Sequence, residues 1–301
     1  MENLKDNIRQ EAARLGFSHT GFAAIGNFEE LRPYFNELFT RQNYSDLTYL
    51  QTYLEKRLNP QLVVAEAKSV IALLMNYFPG EVIPEDDNYI ISKYAYGSDY
   101  HVVVRQQMNE LMAFIQNCSD CQKIRAFVDS GAILEKLWAQ RCGVGWQGKN
   151  TLIINKTSGS FHFIGILLTD LELPPDQPET DHCGGCRKCL DACPTGALHH
   201  PYQLEIPLCI AYQTIENKGD IPDTLKEKLN NRIYGCDICQ DVCPYNRQAR
   251  PHAIPEFRLQ EPLKKLRRDD WRSLNEAQFN QLFEHSPMKR TGFDKLVRNM
   301  G

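Results

Sequence analysis

A chain of 301 residues, 42% hydrophobic and 24% charged, is long enough for a sizeable core plus a second module, and its balance is ordinary for a globular protein. A formal net charge of −4 argues against nucleic-acid binding by bulk electrostatics. The charge is uneven, however: residues 264–301 carry nine Lys/Arg against five Asp/Glu, so a basic patch is expected on an otherwise acidic protein.

The opening "MENLKDNIRQEAARLGF" spaces Leu4, Ile8, Ala12 and Leu15 helically with charges between them, unlike a signal peptide. No apolar run approaches the roughly 18 residues of a membrane span. The expectation is a cytoplasmic protein whose eleven cysteines serve as metal ligands rather than disulfides. Helical patterns cover about 3–15 and 46–57. "SVIALLMNYF" (69–78) predicts a buried strand, 99–116 a helix, 123–128 a strand and 133–141 a short helix. Strand-like runs at 151–155 and 161–171 flank "KTSG", which reads as a hairpin turn. The acidic, Pro-rich "ELPPDQPETD" (172–181) marks a boundary, and beyond 250 the pattern is helical and basic. This predicts an α+β chain: an α/β-type domain over 1–172, a bacterial-ferredoxin-like two-cluster module over 173–250, and a helical C-terminal segment over 251–301.

The strongest local signal is "CGGCRKCLDACP". Cys183, Cys186, Cys189 and Cys193 follow the C-x2-C-x2-C-x3-C-P spacing of bacterial ferredoxins, in which the fourth cysteine serves the other cluster. A partial second run places Cys236, Cys239 and Cys243 ahead of Pro244. Cys209, between the runs, supplies the eighth ligand. The crossed pattern predicts one [4Fe–4S] cluster on Cys183, Cys186, Cys189 and Cys243 and a second on Cys193, Cys209, Cys236 and Cys239. Zinc is the weaker reading, because zinc ribbons do not use this spacing or Cys-Pro endings. Cys118 and Cys121 read as incidental loop cysteines, and Cys142 as a packed thiol.

Gly143, Gly145 and Gly148 in "CGVGWQGKN" have dinucleotide-loop spacing, but a helix precedes the loop and a strand follows it, the reverse of the Rossmann order. Asn150 after Lys149 also rules out a Walker loop. The choice is between a helix cap and a backbone surface kept bare for a large flat cofactor. Just upstream, Asp129 ends an apolar strand. It is an N-cap shared with Ser130, or a general acid whose pKa burial against a cofactor raises.

Taken together, "YAYGSDYH", "VDSGAILEKLWAQRCGVGWQGKNTLI" and the eight-cysteine module resemble the epoxyqueuosine reductase family, over about residues 10–299. The resemblance implies cobalamin bound by the first domain and fed electrons by two [4Fe–4S] clusters. It implies reduction of epoxyqueuosine to queuosine at the wobble position of a tRNA anticodon loop, with Asp129 as proton donor. It also implies cofactor contacts from Arg57, from Tyr94, Tyr96, Asp99 and His101, from Ser130, and from Gln147, Gly148, Lys149 and Asn150. A flavodoxin or ferredoxin is the implied electron donor, the chain is expected to be a monomer, and Arg267, Arg268, Lys289 and Arg290 are candidate phosphate contacts. Two features depart from the family: Ala132 stands where D-S-G-P is common, and the chain stops where many members continue into a helical-repeat domain. The principal alternative is a cobalamin-dependent reductase of a small molecule, such as an organohalide. An electron-transfer subunit is a further one.

Overall fold

The run Ser69–Asn76 is apolar at nearly every position because both of its faces are covered. In the computed structural model, which describes residues 2–41 and 43–301, it is the second strand of the central sheet. The first half of the chain runs α1 (Glu2–Arg14), β1 (His19–Ala24), α2 (Arg32–Thr40), α3 (Tyr49–Thr52), α4 (Leu54–Leu58), β2 (Ser69–Asn76), β3 (Ile90–Ile91), α5 (Tyr100–Cys118), β4 (Ile124–Phe127) and α6 (Glu135–Arg141). Then come β5 (Trp146–Gln147), β6 (Ile153–Ile154), β7 (His162–Thr169), α7 (Lys188–Ala192), α8 (Asp223–Lys226), β8 (Arg232–Tyr234) and α9 (Ile238–Asp241). The chain closes with α10 (Glu261–Lys265), α11 (Arg268–Ser273), α12 (Glu276–Leu282), α13 (Met288–Thr291) and α14 (Phe293–Met300). The mixture of helix and sheet is the α+β class expected.

The main sheet has the order β1-β2-β7-β4 with every neighbouring pair antiparallel, so β2 and β4 run the same way. Alternation along β2 sends Ile71, Leu73 and Met75 into a core with Ile8 and Ala12 of α1 and Val104, Met108 and Leu111 of α5. Val70, Ala72 and Leu74 enter the opposite core, against Trp138 and Ala139 of α6 and Leu58 of α4. A third core joins Ile83, Tyr89 and Ile91 to Ile233 and Tyr234 and to Trp271, Phe279, Phe283 and Leu296 of the last helices. It takes side chains from all three sequence segments, and β3 pairs with β8 across two of them.

Two local expectations need correction. Asn155 and Gly159 do close a turn, through backbone hydrogen bonds of 2.7 and 3.0 Å. The strands on either side are not a hairpin, however: β6 pairs with β5, and β7 joins the main sheet. The helical stretch 46–57 is broken at Tyr53, whose φ of −111° separates α3 from α4.

Candidate active site

The C-terminal ends of β2 and β4 lie at one end of the sheet. Past Val128, which is buried, the chain turns sharply at Asp129. Its φ of +54° is left-handed, a conformation that aspartate tolerates better than most side chains. The turn aims the carboxylate across to the start of α5. There Asp99 caps the helix, accepting from the His101 backbone N–H at 2.9 Å. Asp99 Oδ1 also meets His101 Nδ1 at 2.7 Å, and His101 Nε2 lies 3.6 Å from Asp129 Oδ2. The Tyr100 hydroxyl donates to the same Asp129 oxygen, and its ring stacks on Phe163 at 4.3 Å.

These contacts act against the expected rise of the Asp129 carboxyl. The His101 imidazole and then the Tyr100 hydroxyl outweigh the effect of burial and hold its carboxyl down to about 2. Burial disfavours the His101 cation, but Asp129 and Asp99 on its two nitrogens push it up to about 9. Nor is Asp129 a helix cap: α6 begins six residues later, at Glu135, and its N-cap is Leu134.

Asp129 lines two cavities. The larger, about 810 Å³, is also bordered by Tyr49, Tyr53, Lys56, Arg57, Arg105, Arg125, Ser130, Glu216 and Arg290. The smaller, about 230 Å³, has an aromatic wall of Tyr77, Tyr94, Tyr100 and Phe163 and polar members Glu135, Lys136 and His162. Several polar atoms here are buried without a hydrogen-bond partner: Arg57 Nε, Glu135 Oε1 and both ring nitrogens of His162. Such orphans are rare in folded proteins and mark places where a bound group completes the bonding. Burial and then the Asp129 charge raise Glu135 to about 7, and burial lowers His162 to about 3.

The cysteines Cys183, Cys186, Cys189, Cys193, Cys209, Cys236, Cys239 and Cys243 form no disulfide. Burial raises Cys243, with neighbouring Cys183 and Cys186 adding to the effect; burial then Cys183 and Cys243 raise Cys189 to about 11. Burial, Cys236 and Cys209 act likewise on Cys239, and burial with Cys193 on Cys209. Among the described residues no three His, Cys, Asp or Glu side chains converge on a point suited to a single metal ion. Cys183 and Cys186 lie close enough to act on Cys243, and Cys209, Cys236 and Cys189 on Cys239; an all-thiol donor set of this kind suits iron–sulfur chemistry.

A family model described as "4Fe-4S double cluster binding domain" matches residues 182–246, and one described as "Epoxyqueuosine reductase QueG, DUF1730" matches residues 57–130. The epoxyqueuosine reductase of Cellulophaga algicola is 42% identical over 299 residues, 99% of this chain and 97% of that protein. The chain belongs to the epoxyqueuosine reductase family. The Escherichia coli epoxyqueuosine reductase is 34% identical over all of this chain and 80% of its own length. A crystal structure of an epoxyqueuosine reductase with an epoxyqueuosine-modified tRNA-Tyr stem loop superposes with a TM-score of 0.89 at 31% identity, covering 99% of this chain and 80% of that one. The Bacillus subtilis epoxyqueuosine reductase, with its catalytic aspartate loop swung out of the active site, superposes at 0.87 and 30% identity with the same coverage.

Within this family member, the residues singled out from sequence fall into three places. Asp99, His101, Asp129 and, at the pocket walls, Arg57, Tyr94 and Ser130 come together. Tyr96 does not; it is buried in the third core, its hydroxyl accepting from the Ile83 N–H at 3.4 Å. The loop Gln147, Gly148, Lys149 and Asn150 borders neither cavity and braces the cysteine module. Lys149 Nζ donates to the Cys186 carbonyl at 2.9 Å, and the Asn150 amide to the Cys239 carbonyl at 3.3 Å. The glycines are bare because the chain itself fills the space: a Cβ on Gly145 would lie 2.7 Å from the Ile154 carbonyl, and one on Gly148 would strike the Ile154 side chain. Of the four basic candidates only Arg290 reaches the larger pocket. Arg268 lies over the Tyr89 ring and Arg267 donates to the Lys264 and Leu266 carbonyls at the end of α10. Sequence reading missed Tyr100, Glu135, Lys136 and His162. Tyr100 lies inside the quoted "YAYGSDYH" block, and Glu135 and Lys136 inside the second quoted block; His162 carries no local signal.

Proposed function

We propose that this chain reduces epoxyqueuosine to queuosine in the anticodon loop of tRNA. The observation that carries the reading is the place of Asp129, at the junction of a larger pocket bordered by arginines and a smaller one with an aromatic wall, in a chain alike along its length to epoxyqueuosine reductases. On this reading residues 1–172 form the cobalamin-binding catalytic domain, 173–250 the cluster domain and 251–301 the helical segment. Cys183, Cys186, Cys189 and Cys243 hold one [4Fe–4S] cluster, and Cys193, Cys209, Cys236 and Cys239 the other. Corrin and nucleoside would share the two adjoining pockets: the aromatic wall of the smaller suits the face of a flat macrocycle, and the unpartnered Glu135 and His162 atoms suit amide side chains. When bound, these groups supply single electrons and the cobalt chemistry of carbon–oxygen cleavage.

The protein's own task is to place the nucleoside and to supply a proton where oxygen leaves. A wobble base is single-stranded and can be splayed into the larger pocket, where Tyr49 and Tyr53, each about half exposed, offer faces for stacking. Arg57 and Arg290 give that wall positive charge. Tyr100 orients the Asp129 carboxyl, which passes the proton to the departing oxygen. A low-potential one-electron carrier protein feeds the clusters, and the enzyme works as a cytoplasmic monomer. No helix among the described residues is long and apolar enough to cross a membrane. The test is conversion: reconstituted with iron, sulfide and cobalamin under anaerobic reduction, the chain is expected to turn epoxyqueuosine in a tRNA stem loop into queuosine, read by nucleoside mass. Conversion of a small organohalide but not of the stem loop would replace this reading with its rival.

A further inference from the structure

If Asp129 is to deliver a proton, the site poses a difficulty, because the carboxylate is held ionised by its neighbours. The arrangement of His101 between two carboxylates bears on where the proton resides. Asp99 Oδ1 is held on the first turn of α5 by the His101 backbone N–H and meets Nδ1 of the same residue at 2.7 Å. That fixes Nδ1 as a donor, since a carboxylate only accepts. Nε2 faces a second acceptor, Asp129 Oδ2, at 3.6 Å. A neutral ring would set a lone pair against that carboxylate, so the arrangement calls for hydrogen on both nitrogens. The ring cannot turn away easily, being stacked on Tyr100 at 4.0 Å. His101 borders neither cavity, whereas Asp129 borders both.

We propose that His101 stores the proton that Asp129 delivers, held between Asp99 and Asp129 and acting through Asp129 rather than on the substrate. The proposal rests on the functional reading above. In water the ion pair is comfortable; when substrate fills the pocket and solvent leaves, separated charges lose their support and the proton moves. It leaves Nε2, bonds to Asp129 Oδ2 and passes to the departing oxygen. The imidazole is left neutral with its Nδ1–H still on Asp99, and water restores the second proton. The other groups facing this cluster are the Tyr100 hydroxyl on Asp129, Glu135 and Lys136 of α6, the Tyr234 hydroxyl, and Arg290 of α13, itself paired with Glu216 at 3.1 Å. The Asp99 backbone N–H donates to the His285 carbonyl at 2.6 Å, which anchors the end of α5.

Two measurements on the whole chain test this. The first needs no turnover: C2–H hydrogen–deuterium exchange of His101, followed by peptide mass across pH. The expected midpoint is near 9, falling toward the ordinary histidine value in Asp99→Asn, a change that keeps a good helix cap. A midpoint at or below the ordinary value in the unmodified chain overturns the proposal. The second is the pH profile of single-turnover reduction with the reconstituted enzyme. The rate should fall above about pH 9 in the wild type, and that limb should move down by at least about one pH unit in Asp99→Asn. In His101→Gln the limb should disappear and the rate drop at least about thirtyfold at neutral pH. An unmoved limb in Asp99→Asn overturns the delivery step. A high exchange midpoint with no conversion at any pH overturns the functional reading instead, and with it the delivery step, leaving only the stored proton.

Discussion

Asp129 combines a left-handed backbone, a carboxylate bonded by Tyr100 and faced by His101, and a position on two cavities. The first is a strain of about 1–2 kcal/mol that folding must offset. Asp129→Asn keeps the shape and tolerates the same backbone, so it should leave cluster and corrin content intact while slowing single-turnover reduction at least about a hundredfold; stopped-flow or quench sampling reads this. The pair it forms with His101 also has a pH signature in folding. Asp129 is depressed from 3.8 to about 2, so its contribution is complete above 3.8 and lost as pH falls toward 2. His101 is raised from 6.5 to about 9, so its contribution is complete below 6.5 and lost as pH rises through 9. The Tm gap between the wild type and Asp129→Asn should therefore be widest between 3.8 and 6.5 and close above 9. A gap that widens with alkali would reverse the assignment of the charges.

At the scale of elements, the glycine loop and the cysteine runs act as one unit. Gly145 has no room for a methyl group beside β6, so Gly145→Ala should lower stability by about 1–3 kcal/mol, seen as a lower Tm in the cofactor-free chain. The crossed cysteine assignment has an additive test in bound iron. Cys243→Ser should lose about half the iron, the pair with Cys183→Ser no more than that, and the pair with Cys193→Ser nearly all of it. The cysteine runs are legible in sequence because a cluster ligand set is written in short covalent spacings. Asp129 is legible because it ends an apolar strand. The neighbours that set its charge are less so. Tyr100 and His101 reach it from a helix 28 residues upstream, and His162 arrives from the start of another strand; no local period records those meetings. The edge strand β1, "HTGFAA", escaped notice because every residue but Phe22 is small or polar, and the helical stretch 46–57 gave no sign of its break at Tyr53.

Across the whole molecule, the last helices belong to the body of the protein. Asn299 donates its amide to the Thr214 and Ile233 carbonyls at 2.8 Å each, and Trp271 is fully buried among residues from the earlier segments. Trp271→Ala should therefore cost about 3–5 kcal/mol and loosen β3 and β8 together, which hydrogen exchange of those strands would report. The segment boundaries drawn from composition did not reveal this shared core, because long-range packing leaves only scattered aromatic residues in the sequence. The same whole-molecule packing sets the two cavities side by side at Asp129, and that junction is the central claim. Its most direct measurement is single-turnover conversion of an epoxyqueuosine-bearing stem loop by the anaerobically reconstituted chain, wild type beside Asp129→Asn. Queuosine from the wild type, with severe loss in the variant at equal cluster and corrin content, is the result predicted. Equal conversion by both proteins would contradict it.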